Sequence, residues 1–311
     1  MASKLLNAPW TAPELPQAIG HGDMPGDKIC IDEGHVAKAE KVFPILKDML
    51  ARQLELNPHG KAVVCVCGGS GVGKSEIASI LSHYLRQIGV GSYTLSGDNY
   101  PRRIPADNDA ERLRVFRTGG LRGLVDSGMY TQEMAKELAQ LWAEEKDADP
   151  ALAAQLPWLG VYRAAGYRSL SGYLGTEAEI DFDEVSSIVA RFKRGEERIA
   201  LKRMGRERTQ LWYDEVDMSG VQVLVIEWTH GNSDLLQGVD IPILLNSTPA
   251  ETLAHRRARG RDAKADSAFT TMVLEIEQRK LDSQAYKAKI ILSKSGELLD
   301  YDSYRRLMAQ A

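Results

Sequence analysis

One octapeptide constrains this 311-residue chain more than any other stretch: Gly68-Gly69-Ser70-Gly71-Val72-Gly73-Lys74-Ser75. It fits G-x-x-x-x-G-K-[ST], a loop that wraps phosphates. The flanks agree with the motif. Ala62-Val63-Val64-Cys65-Val66-Cys67 is short, apolar and rich in β-branched residues, as a fully buried strand should be. Downstream, Ile77, Ile80, Leu81, Tyr84 and Leu85 recur at helical spacing. In a strand–loop–helix unit the glycines let successive N–H groups turn towards phosphate oxygens, and the helix aims its positive end at the same place. The backbone from Gly68 to Gly73 (Gly68, Gly69, Ser70, Gly71, Val72 and Gly73) then cradles the phosphates. Lys74 reaches the β- and γ-phosphates, and the Ser75 hydroxyl is placed to ligate Mg²⁺. The bland alternative is a glycine-rich turn that happens to precede a lysine.

Composition narrows the setting. Apolar residues make up 43% of the chain and charged residues 26%, ordinary for a globular protein of one large or two small domains. The formal net charge of −4 argues against a chain built mainly to bind nucleic acid. The three cysteines include Cys65 and Cys67, two apart in the predicted strand. They read as small buried residues, since no second Cys or His pair accompanies them to complete a metal site. There is no disulfide framework, no run of 18 apolar residues and no apolar signal core, so the expectation is a cytoplasmic protein with no membrane partner. Homo-oligomerisation is left open.

Residues 1–32, with Pro9, Pro13, Pro16 and Pro25, read as an extended, poorly ordered arm. A helix follows to about Leu56, with Ala39, Phe43, Leu46, Leu50 and Leu54 on one stripe and a kink or restart expected at Pro44. After the phosphate loop comes a second strand, Ser92–Ser96, and at its carboxyl end Gly97-Asp98-Asn99-Tyr100-Pro101-Arg102-Arg103. Open α/β sheets place ligand-contacting groups there. Asp98 is the leading candidate to accept or orient the proton of an attacking hydroxyl, against the alternative that it caps a turn. Tyr100, Arg102 and Arg103 are candidate substrate contacts; the arginines read equally as solvated side chains.

Further along, Asp107–Arg117 reads as a polar helix, Gly119, Gly120 and Gly123 as a loosening of the chain, and 131–145 as a helix. Residues 146–175 are a mixed aromatic segment that either packs locally or lines a pocket. Ile180-Asp181-Phe182-Asp183 opens a helix running to about Arg194, and the mixed-charge stretch 193–208 reads as solvated surface or as a loop that closes over substrate. A third buried strand, Val221–Ile226, ends at Glu227, where an acidic residue is positioned to hold Mg²⁺ directly or through water. His230 beside it fits packing or hydrogen bonding better than catalysis. A fourth strand over 240–245 leads to Thr248-Pro249-Ala250-Glu251, a helix start. That helix carries Arg256, Arg257, Arg259 and Arg261, either a lid that neutralises a phosphoryl group in flight or a plain basic helix end. A helix over 267–284, a strand at 290–292 and a last short helix complete the pattern.

The loop at Gly68–Ser75, Asp98 at a strand end, Ile180-Asp181-Phe182-Asp183, the strand ending in Glu227 and the arginines after Asn246-Ser247-Thr248-Pro249 together resemble the P-loop small-molecule kinases of the uridine kinase and phosphoribulokinase family. The resemblance spans roughly 60–300. It implies a P-loop three-layer α/β fold with a mainly parallel sheet, a helical insertion over 120–215 and an arginine-rich lid. It also implies a kinase domain over 61–311; the apolar stripe before it reads as packing the arm and helix (1–60) on the core, or as a partner-binding face. The activity implied is Mg-ATP-dependent phosphorylation of a hydroxyl on a small polar metabolite, with Asp98 as base and the lid arginines on the phosphates. Segment 120–175 is longer than in uridine kinases, and their tyrosine-containing segment is not evident around Ala200-Leu201-Lys202-Arg203. Leu95-Ser96-Gly97-Asp98-Asn99, with Arg112 and Arg114, is similar instead to adenylylsulfate kinases. A different class of reading is a nucleotide-dependent switch that hydrolyses slowly and signals through 33–56.

Overall fold

The structure, a computed structural model, describes residues 2–16, 18–248, 251–253 and 267–309. The chain divides into two compact units. The first comprises Met1–Tyr100, Asp181–His255 and Lys280–Ala311; the second comprises Pro101–Ile180 and Arg256–Arg279.

A six-stranded sheet organises the first unit. Its strands are β1 (Ala62–Gly68), β2 (Ser92–Ser96), β5 (Val223–Glu227), β6 (Ile241–Leu245), β7 (Ile290–Leu292) and β8 (Leu298–Leu299), in the order β2-β5-β1-β6-β7-β8. Every pairing is parallel except β7 with β8. Alternation along β1 explains why both faces are apolar. Ala62, Val64 and Val66 join a core with α2 (Glu33–Leu56) and α3 (Lys74–Gln87), while Cys67 faces a second cluster with Leu244, Ile291 and Tyr304. Tyr304 comes from the C-terminal helix, Tyr301–Met308. Burial pushes both strand thiols up, Cys67 to about 12, as suits inert core residues.

The stripe expected on α2 is the face it buries. The helix passes through Pro44 without a restart. Asp32 and His35 close its first turn with reciprocal side-chain and backbone bonds. Ahead of it the described residues of the arm hold one short helix, α1 (Ala2–Leu6), and are otherwise turns and irregular backbone. It is nevertheless tied down: Leu6 is buried, and Trp10 packs with its ring centre 4.6 Å from Phe43 and 5.2 Å from Tyr84. Side-chain burial, not backbone pairing, orders this segment, which is why glycine and proline content misjudged it.

Two more elements belong to this unit. Helix α8 (Phe182–Lys193) follows Asp181, whose carboxylate caps it by accepting from the N–H of Glu184. The stretch expected to be solvated surface is half of an antiparallel hairpin, β3 (Arg198–Met204) with β4 (Leu211–Asp217). Alternating charge hid this strand, because Lys202 and Arg203 are buried in ion pairs with Glu184 and Asp23 and do not face water.

The second unit is helical: α4 (Pro105–Asp126), α5 (Gln132–Ala143), α6 (Pro150–Gln155), α7 (Pro157–Ser171) and most of α9 (Ala268–Gln284). Phe116, Leu124, Tyr162, Leu170, Met272 and Ile276 form its core. The glycines expected to loosen the chain lie inside α4 instead. A methyl group on Gly119, Gly120 or Gly123 would overlap Ser169, Tyr162 or Ala165 of α7, so these residues let two helices approach closely. The aromatics of 146–175 pack here: Trp142 Nε1 donates to Tyr162 Oη (2.9 Å), which donates to buried Asp147 (2.9 Å).

Candidate active site

Residues Gly68 to Ser75 link the carboxyl end of β1 to the first turn of α3. The backbone angles show why the glycines are needed. Gly68, Gly71 and Gly73 have φ of 151°, 77° and 95°. Space matters too, since a Cβ on Gly68 would lie 2.5 Å from the Leu245 carbonyl oxygen and one on Gly73 2.6 Å from His35 Nε2. Gly69, Ser70, Gly71 and Lys74 remain partly exposed. The 14-residue helix α3 has no side-chain cap, so its orphan first-turn N–H groups and dipole face the loop. Lys74 Nζ donates to the Gly69 carbonyl, 3.0 Å away, and so lies folded over the loop.

The parallel register brings an acid to this place. Val66 pairs with Glu227, and Ser96 of β2 pairs with it from the other side. Glu227 is buried; Ser75 Oγ donates to its Oε2 at 3.0 Å and Ser96 Oγ donates to its Oε1. Burial, then the negative charge of nearby Asp98, pushes the Glu227 carboxyl up to about 7, with Lys74 and both hydroxyls opposing. Asp98 itself is exposed, in the 3₁₀ turn Gly97–Asn99 that follows β2. That turn is held close against Trp228, because any Cβ on Gly97 would overlap the indole.

The pair of Ser75 hydroxyl and Glu227 carboxylate fits a Mg²⁺ ion. The ion needs hard oxygen ligands, keeps several waters and takes the rest of its shell from phosphates. No group of three or more His, Cys, Asp or Glu suited to a metal occurs among the described residues.

Other expected site residues have partners of their own. Tyr100 is fully buried, with the Lys202 ammonium 5.1 Å from its ring centre. His230 packs edge-on against Trp228 (5.7 Å) and Phe182 (6.2 Å). In the second unit, Arg102 Nε donates to the Glu177 carbonyl (2.5 Å), and Arg103 Nη1 to Tyr173 Oη (3.0 Å) and the Ala178 carbonyl (3.3 Å). Arg112 is held by the buried carboxylate of Glu179, 2.6 Å away, and Arg114 by Glu111. Thr248 and Glu251 form the expected reciprocal cap. Arg256, Arg257, Arg259 and Arg261 lie outside the described residues.

One group had no warning in the sequence. Asp23 of the arm accepts from the Ser96 N–H (2.8 Å), Tyr93 Oη (2.9 Å), Asn99 Nδ2 (3.1 Å) and Arg203 Nη1 (2.9 Å). Asn99 Oδ1 in turn accepts from the Met204 N–H of the hairpin. Asp23 therefore grips the turn bearing Asp98 from both sides. Burial raises its pKa, opposed chiefly by Arg203.

A phosphate loop on a mainly parallel sheet, with an acid ending the adjacent strand, defines a P-loop α/β protein. Comparison with known proteins carries the likeness to P-loop small-molecule kinases further. Over 244 residues, 78% of this chain, it is 38% identical to the bifunctional α-galactosidase/sucrose kinase AgaSK of Mediterraneibacter gnavus, of which it covers 21%. Over 79 residues it is 38% identical to an adenylyl-sulfate kinase of Erwinia tasmaniensis, covering 24% of this chain and 39% of that protein. The chain thus spans well under half the length of either relative. Among solved structures, a proposed fructose transport system kinase from Silicibacter sp. aligns over 76% of this chain and 94% of its own, at 17% identity and a TM-score of 0.43, a level that carries no argument about function. No protein-family profile matches the chain.

Proposed function

We propose that the protein is an ATP-dependent phosphotransferase that phosphorylates a hydroxyl group of a sugar or a related small polar metabolite. The observation that supports this best is the juxtaposition of the Gly68–Ser75 loop, buried Glu227 on Ser75, and exposed Asp98 close enough to raise the Glu227 pKa. The loop amides and Lys74 hold the phosphate chain of the donor. Ser75 and Glu227 would hold Mg²⁺, which would supply charge neutralisation on the phosphates. Asp98 accepts the proton of the acceptor hydroxyl as its oxygen bonds to the γ-phosphorus and the bond from that phosphorus to the β-phosphate oxygen breaks, releasing ADP. Lys74 stabilises the charge that spreads over the transferring group.

The sugar acceptor rests on a relative named as a sucrose kinase whose likeness spans most of this chain. Adenylylsulfate is the second reading, favoured by the shorter likeness to adenylyl-sulfate kinases. The test is ADP release from Mg-ATP with a panel of sucrose, monosaccharides, nucleosides and adenylylsulfate. Stimulation by a sugar supports the first reading and stimulation by adenylylsulfate alone supports the second. Stimulation by no metabolite, but by a macromolecule, would replace both with a nucleotide switch.

A further inference from the structure

The arm reaches the buried carboxylate of Glu227 itself. Gly22 is buried, and a Cβ built on it would lie 3.6 Å from Glu227 Oε1, 3.8 Å from Glu227 Cγ and 3.7 Å from Ser96 Cβ. Ser75 donates to Oε2, so Gly22 covers the oxygen that Ser75 does not hold. The next residue, Asp23, fastens this cover to the end of β2 through the Ser96 N–H and to the hairpin through Arg203. Farther along, the Cys30 N–H donates to Glu76 Oε1 at 3.5 Å, and His35 lies against Gly73. Residues 22–35 thus touch β2, α3 and the phosphate loop in turn. We propose, resting on the reading of Ser75 and Glu227 as Mg²⁺ ligands, that this stretch is a strap that completes the metal site. Asp23 is a positioning residue that seats Gly22 against Glu227, and strap docking and metal binding favour each other.

Three observations carry it. The first is the residue type. Gly22 does not lie in the left-handed region, so its backbone admits a side chain, yet any side chain there would start beside Oε1. The second is burial. Glu227 is only 3% exposed although it ends a strand next to a partly exposed loop, and the arm supplies part of its cover. A carboxylate shielded from water attracts a cation more strongly than a hydrated one. The third is attachment: the Asp23 partners Ser96, Asn99 and Arg203 flank the same strand end, so loosening Asp23 frees its neighbour Gly22. If the docked strap raises metal affinity, bound metal must stabilise the docked strap by the same factor.

The test isolates the metal from the nucleotide. ATP is titrated calorimetrically into the full chain in Mg²⁺ and in EDTA, and the ratio of the two affinities reports what the metal adds. Gly22→Lys places an ammonium beside Oε1 and should cut this ratio about tenfold; Gly22→Asp adds a carboxylate and should keep or raise it. Gly22→Ala should change it less than about twofold, and Asp23→Asn should lower it about threefold with ATP affinity in EDTA retained. In the wild-type protein, amide exchange at Ser96 should be slower with Mg-ATP than with ATP in EDTA. Equal ratios in Gly22→Lys and Gly22→Asp, a loss in Gly22→Ala as large as in Gly22→Lys, or no Mg²⁺-dependent protection of Ser96 would overturn the proposal. Failure of the underlying metal reading has its own signature: Ser75→Ala and Glu227→Gln would both leave the wild-type ratio unchanged.

Discussion

The phosphate loop and the N-terminal arm meet at the same site but are specified in opposite ways. The loop's shape is written locally: three glycines at positive φ, two of them also in places where a Cβ would collide, between a strand and a helix that declare themselves by periodicity. The arm has no such signal. Its place is set by partners far away in sequence, Phe43 and Tyr84 for Trp10, and Ser96, Asn99 and Arg203 for Asp23. A glycine loop can be read because backbone sterics act over a few residues. A carboxylate that binds a strand end 73 residues later can be seen only once the chain has folded.

Breaking the locally written half should have the largest effects. Asp98→Asn should leave Mg-ATP binding within about twofold and cut phosphoryl transfer by about 10²–10⁴-fold, the range for loss of a positioned base. Unchanged turnover would remove Asp98 from the mechanism. Lys74→Ala should lower turnover by about 10²–10³-fold, as for other charged groups aimed at a transferring centre, and should also weaken ATP binding. The arm tests the other half. Asp23→Ala leaves Arg203 paired with half-exposed Asp214 and strips the Ser96 N–H of its acceptor. We expect a stability loss of about 3 kcal/mol in denaturant unfolding. If the arm were merely draped on the surface, the loss would stay below about 0.5 kcal/mol.

Most of the parallel sheet and its helices was legible, because buried strands such as Val223–Glu227 are continuous apolar runs and α2 shows a clean stripe. The hairpin was not. Its inner strand carries Lys202 and Arg203, whose burial depends on Glu184 and Asp23, so charge pointed outward when the fold turned it inward. The glycines of α4 misled for a related reason: a residue that breaks isolated helices is also one that lets two helices touch, and only α7 decides between these. At the site, Asp98 and Glu227 were legible as strand-end acids, whereas Tyr100 was not distinguishable by pattern from a surface ligand contact until the structure buried it.

Gly97 lies where the two halves touch, next to Asp98 and one residue beyond the N–H that Asp23 holds. Gly97→Ala must displace Trp228 or the turn, and we expect about 1–3 kcal/mol of destabilisation, with a loss of turnover larger than the loss of ATP affinity. A neutral result in unfolding would mean the turn can move freely and that Asp23 does not fix it.

The smallest effect is also the most specific. Glu227 has its pKa raised by folding from 4.5 to about 7. A folded state that holds a carboxyl proton more tightly than the unfolded chain loses stability as pH rises. In metal-free protein the contribution of this group is therefore fully present below pH 4.5, declines through the interval up to about 7, and is flat above it. Glu227→Gln keeps the shape and removes the titration, so the difference in thermal midpoint between the two proteins should change across that interval and nowhere else. Asp98→Asn provides the second comparison. Its charge is the next cause of the shift after burial, so removing it should narrow the interval from the alkaline end without abolishing it. Parallel pH profiles for all three proteins would mean that the two carboxylates do not sense each other, and the juxtaposition on which the phosphotransferase reading rests would be lost.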